Sequence, residues 1–152
     1  MTKTITTNCV DETITLGAKT AARLGNGDFV ALVGDLGAGK TVFVKGLARG
    51  LGVERYKYVN SPSFVIVKAY EGEMKLYHFD VFRLDMEHFA GTVDYESFFY
   101  DDGITVVEWA DKIREILPDE YLEIRIAHAG TTARDFTFTA HGERYRKIEA
   151  DM

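Results

Sequence analysis

The chain has 152 residues, 46% of them hydrophobic and 28% charged, with 14 glycines and 2 prolines; this excludes collagen-like and low-complexity disordered classes and fits one globular domain over residues 1–152. Twenty-four acids against 18 Lys plus Arg leave a net charge of −6, which argues against a protein whose main work is coating nucleic acid, because that work is done by a surplus of cations. Cys9 is the single cysteine; it excludes an intramolecular disulfide, suits a reducing compartment and reads as a small half-buried residue.

The first ten residues are Thr-rich and carry no apolar signal segment. No apolar run reaches the roughly 20 residues of a membrane span, so the expected location is the cytoplasm. Residues 11–24 place Ile14, Leu16, Ala18, Ala21, Ala22 and Leu24 at helical spacing, with Asp11 as the N-cap and Gly25 as the stop. The apolar run at residues 29–33 predicts a buried strand, followed at once by a Gly-rich loop and a helix over residues 42–51 that ends at Gly52. Residues 63–70 and 75–82 read as a strand hairpin closed at Glu71-Gly72-Glu73.

Residues 86–102 are acidic and aromatic without clean periodicity, and are expected as helix fragments and loop. Their side chains form either an exposed docking surface or an ordinary packed segment. A buried strand is expected at residues 104–109, a short helix at 110–117 stopped by Pro118, and a second strand pair at 121–129 and 134–140. The polar tail, residues 143–152 in particular, is expected to fray. There is no internal repeat and no composition break. Two hairpin-like pairs cannot all run parallel, so the central β-sheet is expected to be mixed; with the strand at 29–33, the loop Gly34 to Thr41 in the pattern G-x-x-x-x-G-K-[ST] and the helix behind it, the expected fold class is α/β, a P-loop NTPase-like three-layer domain.

The loop Gly34-Asp35-Leu36-Gly37-Ala38-Gly39-Lys40-Thr41 fits G-x-x-x-x-G-K-[ST]. Glycines let backbone N–H groups turn around phosphates, the lysine reaches the outer phosphates, and the threonine hydroxyl takes Mg²⁺. The helix behind Thr41 aims the positive end of its dipole at the anion. The strand before the loop and the helix after it are the context this motif requires, and they point to nucleoside triphosphate binding.

Such a loop needs acids to hold the metal and position a water. Asp80 ends the run that starts at Leu76, and Glu108 ends the run that starts at Ile104; both lie where the carboxyl ends of strands meet a ligand in an open α/β sheet. Each is otherwise an ordinary surface acid at a strand end, and Asp85, Asp101 and Asp102 in loop context read that way. His78, two residues before Asp80 on the same strand face, is either a structural histidine or a metal neighbour. Trp109 either covers the nucleotide or belongs to the core. Lys45 and Arg49 follow Lys40 along the helix, and Arg83 is the preferred phosphate or switch cation.

Together with Ser61-Pro62-Ser63-Phe64, the run from Tyr77 to Leu84, and Val107-Glu108-Trp109 followed by a helix and Leu117-Pro118, the Gly-rich loop resembles in order and spacing the bacterial TsaE (YjeE) family. Its members are small P-loop ATPases that support formation of threonylcarbamoyladenosine in transfer RNA. The resemblance implies that Gly37, Ala38, Gly39, Lys40, Thr41 and Val42 hold the phosphates of ATP. It also implies that Thr41 and Glu108 ligate Mg²⁺ and that Asp80 acts near the γ-phosphate. By the same resemblance, Ser61 to Phe64 form a switch-like loop, Trp109 lies beside the site, and Thr13 and Arg134 make further nucleotide contacts. Two positions depart from the family pattern. Ser63 stands where Thr is usual and keeps the hydroxyl; Phe82 stands where Tyr is usual and loses a phenol.

The resemblance further implies partner proteins, TsaD and TsaB, that transfer the threonylcarbamoyl group, with ATP hydrolysis resetting their complex and transfer RNA met only indirectly. Two alternatives stand beside it. A small-molecule kinase of the shikimate or gluconate type would need an Arg-rich lid, which the middle of this chain lacks. A nucleotide-sensing module would bind without useful turnover.

Overall fold

In the computed structural model, the described residues are 2–152 except 36, 63, 85 and 93, with Thr92 described by its backbone alone. Seven strands form one mixed sheet in the order β1-β7-β6-β2-β5-β4-β3. Its centre is parallel. β2 (Phe29–Gly34) lies between β5 (Ile104–Glu108) and β6 (Tyr121–His128), and β4 (Leu76–Asp80) runs parallel to β5. The edges are antiparallel, with β3 (Val67–Tyr70) on β4, β7 (Arg134–His141) on β6, and β1 (Thr2–Thr7) on β7.

The apolar run of β2 is buried along both faces because helices cover both sides of a parallel sheet. Its side chains alternate between two cores. Val30 and Leu32 join Leu16 of α1 (Val10–Ala21), Phe43 and Leu47 of α2 (Lys40–Gly50), and Tyr145 and Ile148 of α5 (Glu143–Asp151). Phe29, Ala31 and Val33 join Phe89 of α3 (Met86–Thr92), Phe99 of α4 (Glu96–Phe99), and Ile113. Three layers result, as the sequence predicts.

α1 and α2 pack closely through small residues. A Cβ placed on Gly46 would lie 2.4 Å from the Ile14 carbonyl oxygen and 2.8 Å from the Gly17 Cα, so the two backbones approach as only glycine allows.

Several elements differ from expectation. The Thr-rich start is strand β1, paired along β7 from Thr2↔Thr139 to Thr7↔Arg134; threonine suits a half-exposed strand, but its partner lies more than a hundred residues away. The N-cap of α1 is Cys9 rather than Asp11, which lies in the first turn, and the helix stops at Ala21. Cys9 is exposed, not half-buried.

The expected frayed tail is helix α5, which buries Tyr145, Ile148 and Glu149. The Tyr145 hydroxyl accepts from the Phe29 N–H at 2.9 Å, and Arg144 pairs with Asp28 at 2.5 Å. The short helix after β5 is a 3-10 segment, Ala110–Ile116, with a kink at Ile113. Within residues 86–102, Phe89 and Phe99 are buried and meet Phe79 edge-to-face. Its aromatic residues are mostly packed, and among the described ones Tyr100 is exposed. No helix among the described residues is long and apolar enough to cross a membrane.

Candidate functional site

The Gly-rich loop leaves β2 and enters α2 at the carboxyl end of the sheet. Gly39 caps α2 at φ 107°, a left-handed conformation that a side chain would strain. The first helical hydrogen bond runs from Phe43 N–H to Gly39 C=O at 3.0 Å. The N–H groups of the preceding turn therefore have no partner within the helix and are available to an anion.

Lys40 is buried although charged. Its Nζ donates to the Gly34 and Asp35 carbonyls, each at 2.8 Å, and lies 4.0 Å from the centre of the Trp109 ring. Burial pulls the Lys40 ammonium below its ordinary range, and the carboxylates of Glu108, Asp80, Asp111 and Asp35 oppose that pull. Trp109 is held at φ 64°, a left-handed strain of about 1 kcal/mol. Its ring packs tilted against that of Phe82, with centroids 4.8 Å apart. Trp109 both lines the first cavity and packs against the core around Phe79 and Ile113.

The two strand-end acids arrive side by side, since Asp80 and Glu108 are paired positions on β4 and β5. Thr41 Oγ1 donates to Glu108, 3.1 Å from each carboxylate oxygen. Asp80 accepts from the Ser61 hydroxyl and from the Phe82 N–H at 2.9 Å. His78 is fully buried and meets Glu108 rather than Asp80, with Nε2 2.5 Å from Oε2. Among the described residues no group of three or more His, Cys, Asp or Glu is placed to hold a metal. A hydroxyl and a carboxylate are nonetheless hard oxygen donors of the kind Mg²⁺ takes, with water and phosphate completing its shell.

A cavity of about 450 Å³ opens between these groups, lined by Gly37, Gly39 to Val42, Ser61, Asp80, Phe82, Arg83, Glu108 and Trp109. A second of about 450 Å³ adjoins it across Gly37, Gly39 and Val42, and is walled by Asn8, Cys9, Val10, Thr13, Thr131, Thr132 and Arg134. The first gathers the charged groups Lys40, Asp80, Arg83 and Glu108, and the second is lined by Val10, Val42, three threonines and Arg134.

The sequence-derived residues thus fall into two groups. Lys40, Thr41, Asp80, Arg83, Glu108 and Trp109 surround the first cavity, and Thr13 and Arg134 line the second. Thr13 is buried against the Thr7 hydroxyl at 2.7 Å. Arg134 donates to the Gly130, Thr131 and Ala133 carbonyls, and Arg83 lies 4.2 Å from the centre of the Phe64 ring. Ala38 is buried and donates to the Asp35 carbonyl at 3.1 Å.

Lys45 bonds the Lys57 carbonyl, away from the cavity. Asp101 accepts from the Tyr77 hydroxyl. Ser63 and Asp85 lie outside the described residues. Sequence reasoning missed the partnership of Ser61 with Asp80 and the wall made by Asn8, Cys9, Val10, Thr131 and Thr132. That wall carries no local motif; the proximity of Thr131 and Thr132 to Arg134 was its one signal.

Residues 7–136 match the model of the family described as "Threonylcarbamoyl adenosine biosynthesis protein TsaE". A Bacillus subtilis protein named tRNA threonylcarbamoyladenosine biosynthesis protein TsaE is 46% identical over 139 residues, which cover 91% of this chain and 85% of that one. A Streptomyces coelicolor protein of the same name is 39% identical, with 90% of this chain and 96% of that one covered. The crystal structure of Bacillus subtilis YdiB is 38% identical and superposes with a TM-score of 0.82, over 99% of this chain and 93% of that one.

Proposed function

Because this chain belongs to the TsaE family, we propose that it acts in the biosynthesis of threonylcarbamoyladenosine in transfer RNA, as a Mg²⁺-dependent ATPase that resets the TsaD–TsaB modifying complex. One observation carries the ATPase reading: Thr41 at the head of α2 touches the carboxylate of Glu108 at 3.1 Å. The Gly-rich loop and an acid 67 residues further on thereby share one cavity.

In this reading Gly37 to Val42 hold the phosphates through backbone N–H groups, and Lys40 exchanges its carbonyl partners for the outer phosphates. Thr41 and Glu108 hold Mg²⁺, which when bound supplies Lewis-acid polarisation of the phosphoryl oxygens. Asp80, its carboxylate fixed by Ser61 and the Phe82 N–H, orients the attacking water. Arg83 contributes positive charge at the mouth, and Trp109 shields it. Thr13 and Arg134 border the base.

The net charge of −6 supports contact with transfer RNA through partners rather than directly. The test is ATP hydrolysis by the protein alone and with TsaD and TsaB added. Turnover that rises with the partners, and a complex that depends on ATP, are expected. Unchanged turnover with no complex would overturn the partner-driven reading, and a phosphorylated small product from labelled ATP would identify a kinase instead.

A further inference from the structure

His78 sits on β4 between Leu76 and Asp80 on one face of the strand, opposite Val106 of β5. It has no solvent exposure, and its Nε2 reaches diagonally across the strand pair to Glu108 Oε2 at 2.5 Å. Its Nδ1 is buried and has no hydrogen-bond partner among the described residues. A carboxylate oxygen only accepts, so the proton of this bond is on Nε2. The geometry therefore presents the Nε2–H of His78 to the Glu108 carboxylate.

We propose that His78 is a positioning residue: its Nε2–H fixes the Glu108 carboxylate in the orientation that, with Thr41, receives a divalent cation. The inference rests on the reading of Glu108 as a metal ligand. The imidazole removes one degree of freedom from Glu108, while Thr41 meets the same carboxylate from the other element at 3.1 Å. Outer partners of metal ligands commonly act in this way, and their removal costs about 10–100-fold in metal affinity.

The test compares the unsubstituted protein with His78→Gln, which keeps an N–H donor near the position of Nε2, and His78→Leu, which removes it. ATP is titrated by calorimetry in EDTA and again in excess Mg²⁺. In EDTA the three proteins are expected to agree within about twofold. The gain in affinity on adding Mg²⁺ is expected to persist in His78→Gln and to shrink about tenfold or more in His78→Leu. An undiminished gain in His78→Leu, or an equal loss in both variants, overturns the proposal. No gain in the unsubstituted protein overturns the Glu108 reading itself, which separates the two failures.

A second measurement stands if His78→Leu does not fold. The ¹⁵N signals of the His78 ring, assigned by their absence in His78→Gln, are expected to show a proton on Nε2. A bare Nε2 overturns the proposal.

Discussion

Two carbonyls, four nearby carboxylates and the face of Trp109 surround the buried amine of Lys40 in place of water. Lys40 also lines the first cavity, where a phosphate would meet it. Lys40→Ala is expected to weaken ATP binding about 100-fold, as loss of charge-assisted hydrogen bonds worth about 3 kcal/mol implies, while leaving the fold intact. Fluorescence of Trp109, the one tryptophan of the chain, would follow binding directly; unaltered affinity would remove the P-loop assignment.

This residue was legible in the sequence because its whole motif is contiguous. Asp80 and Glu108 were legible for a related reason: each ends a short buried strand, and strands of a parallel centre deliver their ends to one edge. The link from Ser61 to Asp80 was not legible, because loop residues reach it without periodicity.

At the scale of elements, α2 follows directly on the Gly-rich loop and carries Lys40 and Thr41 of the site, so whatever seats α2 seats those two side chains. Its seat is α1, reached through Gly46 against Ile14 and Gly17. Gly46→Ala must push apart two backbones and is expected to cost about 2 kcal/mol as an overpacking change. Thermal unfolding would read this as a melting temperature lower by roughly 5 °C; an unchanged value would show that the helices separate freely. The helices themselves followed from apolar spacing, but the need for glycine at their crossing did not. Periodicity reports which face is buried, not how closely the facing backbone approaches.

For the whole molecule, α5 ties the C-terminus to the start of β2 through Tyr145, whose hydroxyl accepts from the Phe29 N–H. Burial, with the nearby Asp28 charge, pushes the Tyr145 phenol up to about 12. The hydrogen bond to Asp101 and burial push that of Tyr77 to about 12 as well. Each folded-state value lies above the ordinary 10, so each group's contribution is complete below pH ~10 and is lost as pH rises toward ~12. Stability measured by urea unfolding is expected to fall through that window. Tyr145→Phe, which orphans the Phe29 N–H, should cost about 1–2 kcal/mol at neutral pH and make the alkaline fall shallower. A fall of equal steepness in the variant would refute this account.

By itself the sequence determined the Gly-rich loop, the two strand-end acids and the helix–strand alternation around them, since each rests on residues close together in the chain. The tertiary structure alone decided that the Thr-rich start is an edge strand, that the polar tail is a docked helix, and that His78 faces Glu108. All three depend on pairing between distant segments: β1 with β7, α5 with β2, and β4 with β5. Such pairing is selected by the burial of the assembled sheet, which no local pattern records.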